Sequence, residues 1–350
     1  MSDSVQTVLG PVRRSELGIV LPHEHLFNDL SSVVAEPAYP SSRILVDRPV
    51  EPRLQYLLRQ DPYCCADNLG PKDVEDVVGE VAAFRDRGGR TVVDATGSPA
   101  IGRDPEKLVA VARRTGVNIV MSAGTYLEKF EGTRITSRSV EDQAASIVAD
   151  LTTGVGDTGI RAGVIGEVGV SPAFTPAERA AVRAAGMAQR ACPEVGVNVH
   201  MPGWERRGHE VLDILIDEVG VPAARISLAH SDPSGADRDY QRSLLERGVI
   251  LEYDMIGLDI AFPGEGASPA PHESADAIAR LVADGHVGQI TLSQDLFLKQ
   301  MWTRNGGNGL SFVTSIFADL LRERGVDERS VRRLTVDNPA AWLCGPEDAA

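Results

Sequence analysis

Residues 18–27 read GIVLPHEHLF: three aliphatic side chains and a proline run into His23, Glu24 and His25, followed by Leu26 and Phe27. Successive side chains in a strand alternate between its two faces. On that periodicity His23 and His25 point the same way and Glu24 the other. Two imidazoles at the end of an apolar strand make a poor core element, because each brings a donor and an acceptor that need partners. They make a good half-site for a divalent metal. Glu24, turned away, is expected to be structural.

Beyond this strand the chain alternates regularly. Segments that read as strands are RTVVDATG (90–97), NIVMSAGTY (118–126), AGVIGEVGV (162–170), GVNVHMP (196–202), RISLAHSD (225–232), VILEYDM (249–255) and QITLSQD (289–295). Between them lie helical patterns, several with an early proline and a closing glycine, as in DPEKLVAVARRTG (104–116). Alternating β and α elements imply a parallel sheet. Eight such units, counted from GIVLPHEHL, imply a single-domain (β/α)8 TIM barrel of the α/β class over residues 1–350. No GxGxxG follows the first strand, which weakens a dinucleotide-binding reading. Residues 27–70, with Pro37, Pro40, Pro49, Pro52 and Pro62 and little periodicity, read as an insertion or cover. A plain surface insertion with a short helix around 51–59 fits them equally.

The 350 residues carry a net charge of −15, with 43% hydrophobic and 24% charged residues. This composition is ordinary for a globular protein. The acidic balance argues against nucleic acid or an anionic membrane as partner, because phosphate contacts need basic patches. The expected partner is a small-molecule substrate. The N-terminus lacks the basic-then-apolar pattern of a signal peptide, and no apolar run is long enough to span a membrane. Cys64, Cys65, Cys192 and Cys344 do not have zinc-finger spacing. A reduced, cytoplasmic protein is expected.

In such barrels the active site lies at the C-terminal ends of the strands. Those ends carry His23 and His25 (first strand), Glu167 (fourth), His200 (fifth), His230 (sixth), Glu252, Tyr253 and Asp254 (seventh) and Asp295 (eighth). Taken singly, each has a plain structural alternative; Asp295, for example, suits a helix N-cap. Together, four histidines and two carboxylates converging on one rim are costly to bury without a cation, and the set reads as a binuclear metal site.

The motifs LPHEHL, DATG, GEVG, VNVH, LAHSDP, LSQD and TVDNPAAWL, in this order, resemble those of the phosphotriesterase family of the amidohydrolase superfamily. The resemblance covers nearly the whole chain. It implies two divalent metals, usually zinc, with manganese or cobalt as alternatives. His23, His25 and Asp295 would bind the buried ion, His200 and His230 the more exposed one. A fourth-strand residue would bridge them. Members of the family use a carbamylated lysine or a glutamate there. The lysines here are Lys72, Lys107, Lys129 and Lys299, none on that strand, so Glu167 is the candidate. The resemblance also allows a homodimer.

Two metals about 3.5–4 Å apart share a water and lower its pKa. On this reading the bridging hydroxide attacks a carboxylic ester or lactone, with Asp295 taking the proton and passing it to the leaving group. Weak phosphotriesterase activity would be secondary. Tyr126, Tyr253 and Trp302 are the candidate substrate contacts. FLKQMWTRNGGNG (297–309), with Arg304, is a candidate substrate cover. The alternatives are an amidase or N-acyl amino acid hydrolase at the same site, and a metal-binding barrel without catalysis.

Overall fold

Eight parallel strands form the core: β1 (Ile19–Glu24), β2 (Gly89–Asp94), β3 (Asn118–Ala123), β4 (Val164–Gly169), β5 (Val197–His200), β6 (Ile226–Leu228), β7 (Ile250–Tyr253) and β8 (Ile290–Leu292), each hydrogen-bonded to the next in that order. The seam between β8 and β1 is closed just beyond the strand ends. There the His23 N–H donates to the Ser293 hydroxyl at 3.1 Å, and the Asp295 N–H to the His23 carbonyl at 3.2 Å. The structure is a computed structural model and describes residues 3–345. The predicted (β/α)8 barrel is therefore the observed fold.

Helices α1 (Val74–Asp86), α2 (Pro105–Thr115), α3 (Val140–Thr152) and α4 (Pro176–Ala191) follow the first four strands. Their starts are local. Asp104 caps α2 through the Lys107 N–H, with Pro105 in the first turn. Thr175 and Glu178 close a capping box at α4. Gly116 ends α2 at φ +71, a conformation glycine adopts without Cβ strain.

An antiparallel hairpin (Ser4–Thr7 with Gly10–Arg13) lies below the strands. Its Val5 joins Val20, Val93, Val120 and Val164 in one buried cluster with Trp342 and Leu343 of the closing helix Asn338–Cys344. The hairpin and this helix plug one end of the barrel, so the polar residues collect at the other. Among the described residues no helix is long and apolar enough to cross a membrane.

Residues 27–70 form short turns and one-turn helices, among them Gln55–Leu58. They bury a small core of their own, Leu45, Leu57, Leu58, Cys64 and Cys65. All four cysteines are free and buried.

Candidate metal centre

The six residues proposed from the strand ends meet in one place. Glu167 stands in the middle: its Oε1 is 3.2 Å from His25 Nε2, and its Oε2 is 3.0 Å from His200 Nδ1 and 3.5 Å from His23 Nε2. Asp295 Oδ1 lies 3.3 Å from His25 Nε2 and 3.7 Å from His23 Nε2. His230 Nε2 lies 2.8 Å from His200 Nδ1. Among the described residues three ligand-like triads result: His23–His25–Glu167 and Glu167–His200–His230, which share the glutamate, and His23–His230–Asp254.

The outward ring nitrogens are held by residues whose roles the sequence did not disclose. His23 Nδ1 faces Glu252 Oε1 at 2.9 Å; that carboxylate also accepts from Asn198 and Ser227. His230 Nδ1 faces Asp254 Oδ1 at 3.0 Å, and both Asp254 oxygens accept the His230 backbone N–H. His25 Nδ1 meets the Thr96 hydroxyl at 2.9 Å, and Thr96 is itself held through Asp94 of the DATG motif. Partners of this kind fix the ring and leave the other nitrogen for a metal. A usable signal for Glu252 and Asp254 was present: they flank Tyr253 at alternate positions, so both point into the barrel. Two of the six, His230 (φ +57) and Asp295 (φ +48), occupy the left-handed region, an unfavourable conformation for such side chains that often marks functional positions.

A cation fits this donor set. His23 Nε2 is fully buried and has no hydrogen-bond partner among the described residues. Four carboxyl groups, Glu167, Glu252, Asp254 and Asp295, are buried together at the site, and two divalent ions would offset the cost of burying them ionised. Without such ions the histidines hold protons instead. Burial alone would push His23 and His25 down, but the neighbouring carboxylates outweigh it and hold them at about 10 and about 9. Burial would likewise push Glu167 up, but the imidazoles of His200 and His23 hold it well below the usual carboxylate range.

Glu24 faces away, as the strand alternation predicts. It accepts from the Ser293 hydroxyl and from the Gln294 and Leu296 N–H groups, anchoring the turn that carries Asp295.

A cavity of about 1040 Å³ opens above the centre and reaches His25, Glu167, His200, His230 and Asp295. Its walls are mostly apolar and aromatic, and Lys129 is the one lysine or arginine on them. Tyr126 lines it, with its hydroxyl 3.5 Å from His200 Nδ1. The other two candidate substrate contacts are corrected. Tyr253 is fully buried and donates to Gln241 Oε1 on the outer helix layer. Strand alternation sends it outward, because Glu252 and Asp254 point in. Trp302 is 2% exposed, packed into the core between short turns, and does not reach the cavity. Arg304 pairs with Asp76 at the surface and is also off the cavity wall.

Several known proteins are similar to this chain. N-acetyltaurine hydrolase of Tetraodon nigroviridis is 31% identical over 98% of both chains. A resiniferatoxin-binding protein from Rhodobacter sphaeroides superposes with a TM-score of 0.94 at 39% identity, covering 97% of this chain and 95% of that one. A mutant of a PTE-like lactonase from Deinococcus radiodurans superposes at 0.75 with 27% identity, over 97% and 99%. The sequence profile of the phosphotriesterase family matches residues 3–343, and with the glutamate-centred histidine cluster at its strand ends the chain belongs to that family of hydrolases.

Proposed function

We propose that the protein hydrolyses a neutral carboxylic ester or lactone bearing a bulky apolar group, with two divalent cations held by His23, His25, Glu167, His200, His230 and Asp295. Imidazole and carboxylate donors suit zinc, and manganese or cobalt fit the same set. When bound, such a pair supplies Lewis acidity toward a carbonyl oxygen and makes water a nucleophile near neutral pH.

The chain's own groups do the rest. The Asp295 carboxylate, held at Oδ1 by His25, accepts the proton of the attacking water and returns it to the leaving alkoxide. The Tyr126 hydroxyl, beside His200, offers a donor to the substrate carbonyl. The apolar walls orient the substrate and exclude competing water.

The observation that carries the reading is the cavity itself: it is large and apolar, ends on the carboxylate–histidine cluster, and holds a single lysine among several glutamates. A neutral substrate suits it better than an anionic one. Amide cleavage is the second reading, supported by the relatives named N-acetyltaurine hydrolase. The same six residues would serve it.

Turnover on the metal-loaded protein separates the two. Neutral esters and lactones, N-acetyltaurine, N-acyl amino acids and paraoxon form the panel. The ester or lactone kcat/KM should exceed that for N-acetyltaurine at least a hundredfold, with paraoxon weaker still. The reverse order would establish the amidase. Binding without any turnover would make the chain a binding barrel, the property named in the Rhodobacter relative.

A further inference from the structure

Four aromatic rings from four separate segments meet on one wall of the cavity. Tyr63 comes from the 27–70 insertion, Trp204 from the turn after β5, Phe262 from a short hairpin after β7 and Phe297 from the turn after β8. Phe262 sits at the centre. Its ring lies 5.7 Å from Tyr63, 5.8 Å from Trp204 and 6.3 Å from Phe297. Phe297 in turn stands edge-on to the His25 ring at 6.5 Å, so the row of rings starts beside the metal centre. The interplanar angles are 36°, 59° and 19°, within the tilted and stacked range in which aromatic rings attract one another.

Tyr63 is half-buried and lines the cavity. Its hydroxyl bonds no described protein group and stays open to the cavity, where a ligand can reach it. Burial and the nearby Glu265 push its pKa up, so it remains a neutral donor and acceptor. The hairpin is held in place, since Trp204 Nε1 donates to the Ala267 carbonyl.

We propose that Tyr63, Trp204, Phe262 and Phe297 form a subsite for an aryl group of the substrate, with the Tyr63 hydroxyl hydrogen-bonding a polar substituent on that ring. The subsite deepens the ester-hydrolase reading and rests on it for the reaction, but ring binding itself needs no turnover.

Calorimetric binding of 4-methylphenol, toluene and 4-methylcyclohexanol to the metal-loaded full chain tests it. One hydrogen bond is worth about tenfold or less in affinity. Wild type should bind 4-methylphenol several-fold tighter than toluene and about tenfold tighter than 4-methylcyclohexanol. Tyr63→Phe should bring 4-methylphenol down to the toluene level and leave toluene unchanged. Phe262→Leu, a change that keeps an apolar side chain, should weaken both aryl probes and spare 4-methylcyclohexanol. Equal binding of 4-methylphenol and 4-methylcyclohexanol, no binding of either, or a Tyr63→Phe protein that keeps full 4-methylphenol affinity would overturn the subsite. Aryl-selective binding with no hydrolysis of methyl 4-hydroxyphenylacetate would overturn the ester reading and leave the subsite standing.

Discussion

Asp254 holds His230 twice: its Oδ1 lies 3.0 Å from His230 Nδ1, and the same carboxylate receives the His230 backbone N–H at 2.8 Å. One side chain thus orients the imidazole and stabilises a backbone at φ +57. Outer partners of metal-binding histidines typically contribute 10–100-fold in affinity. Asp254→Asn should therefore lower metal affinity by about that factor with the fold retained. Metal titration alongside circular dichroism checks it, and unchanged affinity would refute the role.

Glu167 reaches both of its triads through its two oxygens, so assembly should need no carbamylated lysine. Metal-free protein should recover full activity in bicarbonate-free buffer. A dependence on added bicarbonate would remove Glu167 from the bridging position. Glu167→Ala should bind fewer than two metals per chain.

Asp295 is the proposed proton carrier. Asp295→Asn should fold normally and lose about two to four orders of magnitude in kcat, the usual range for a general acid–base group. Metal analysis of the same variant separates loss of proton transfer from loss of an ion. An Asn variant with two metals and undiminished kcat would exclude the role.

Metal uptake should release protons. In the metal-free protein His23 and His25 are held up at about 10 and about 9, above their unfolded value of about 6.5. Their ion pairs contribute stability that is fully present below about pH 6.5 and is lost as pH rises through 9 to 10. A divalent ion must displace those protons, so its affinity should climb with pH across this window, roughly tenfold per unit for each proton displaced. Calorimetry at pH 8 in two buffers of different ionisation heat counts the protons, and a count of zero would contradict the scheme.

The barrel and the six clustered residues were legible because both rest on local periodicities. Strand–helix alternation sets the fold class, and position at a strand's C-terminal end sets the rim. The same alternation, carried one residue further, would have moved Tyr253 to the outside and Glu252 and Asp254 to the inside. Trp302 is different: it lies in a glycine-rich stretch without period, where only packing decides which way a side chain turns.

From the chain alone came the count of strands, the convergence of His23, His25, Glu167, His200, His230 and Asp295, and the outward Glu24. Distances across the barrel came only from the folded chain. Glu252 and His23 are 229 residues apart in sequence and 2.9 Å apart in space. The aromatic wall joins residues 63, 204, 262 and 297 across four loops. Strand ends are placed by backbone hydrogen bonding, which has a short period that a sequence displays. Loop side chains are placed by mutual burial, which has none.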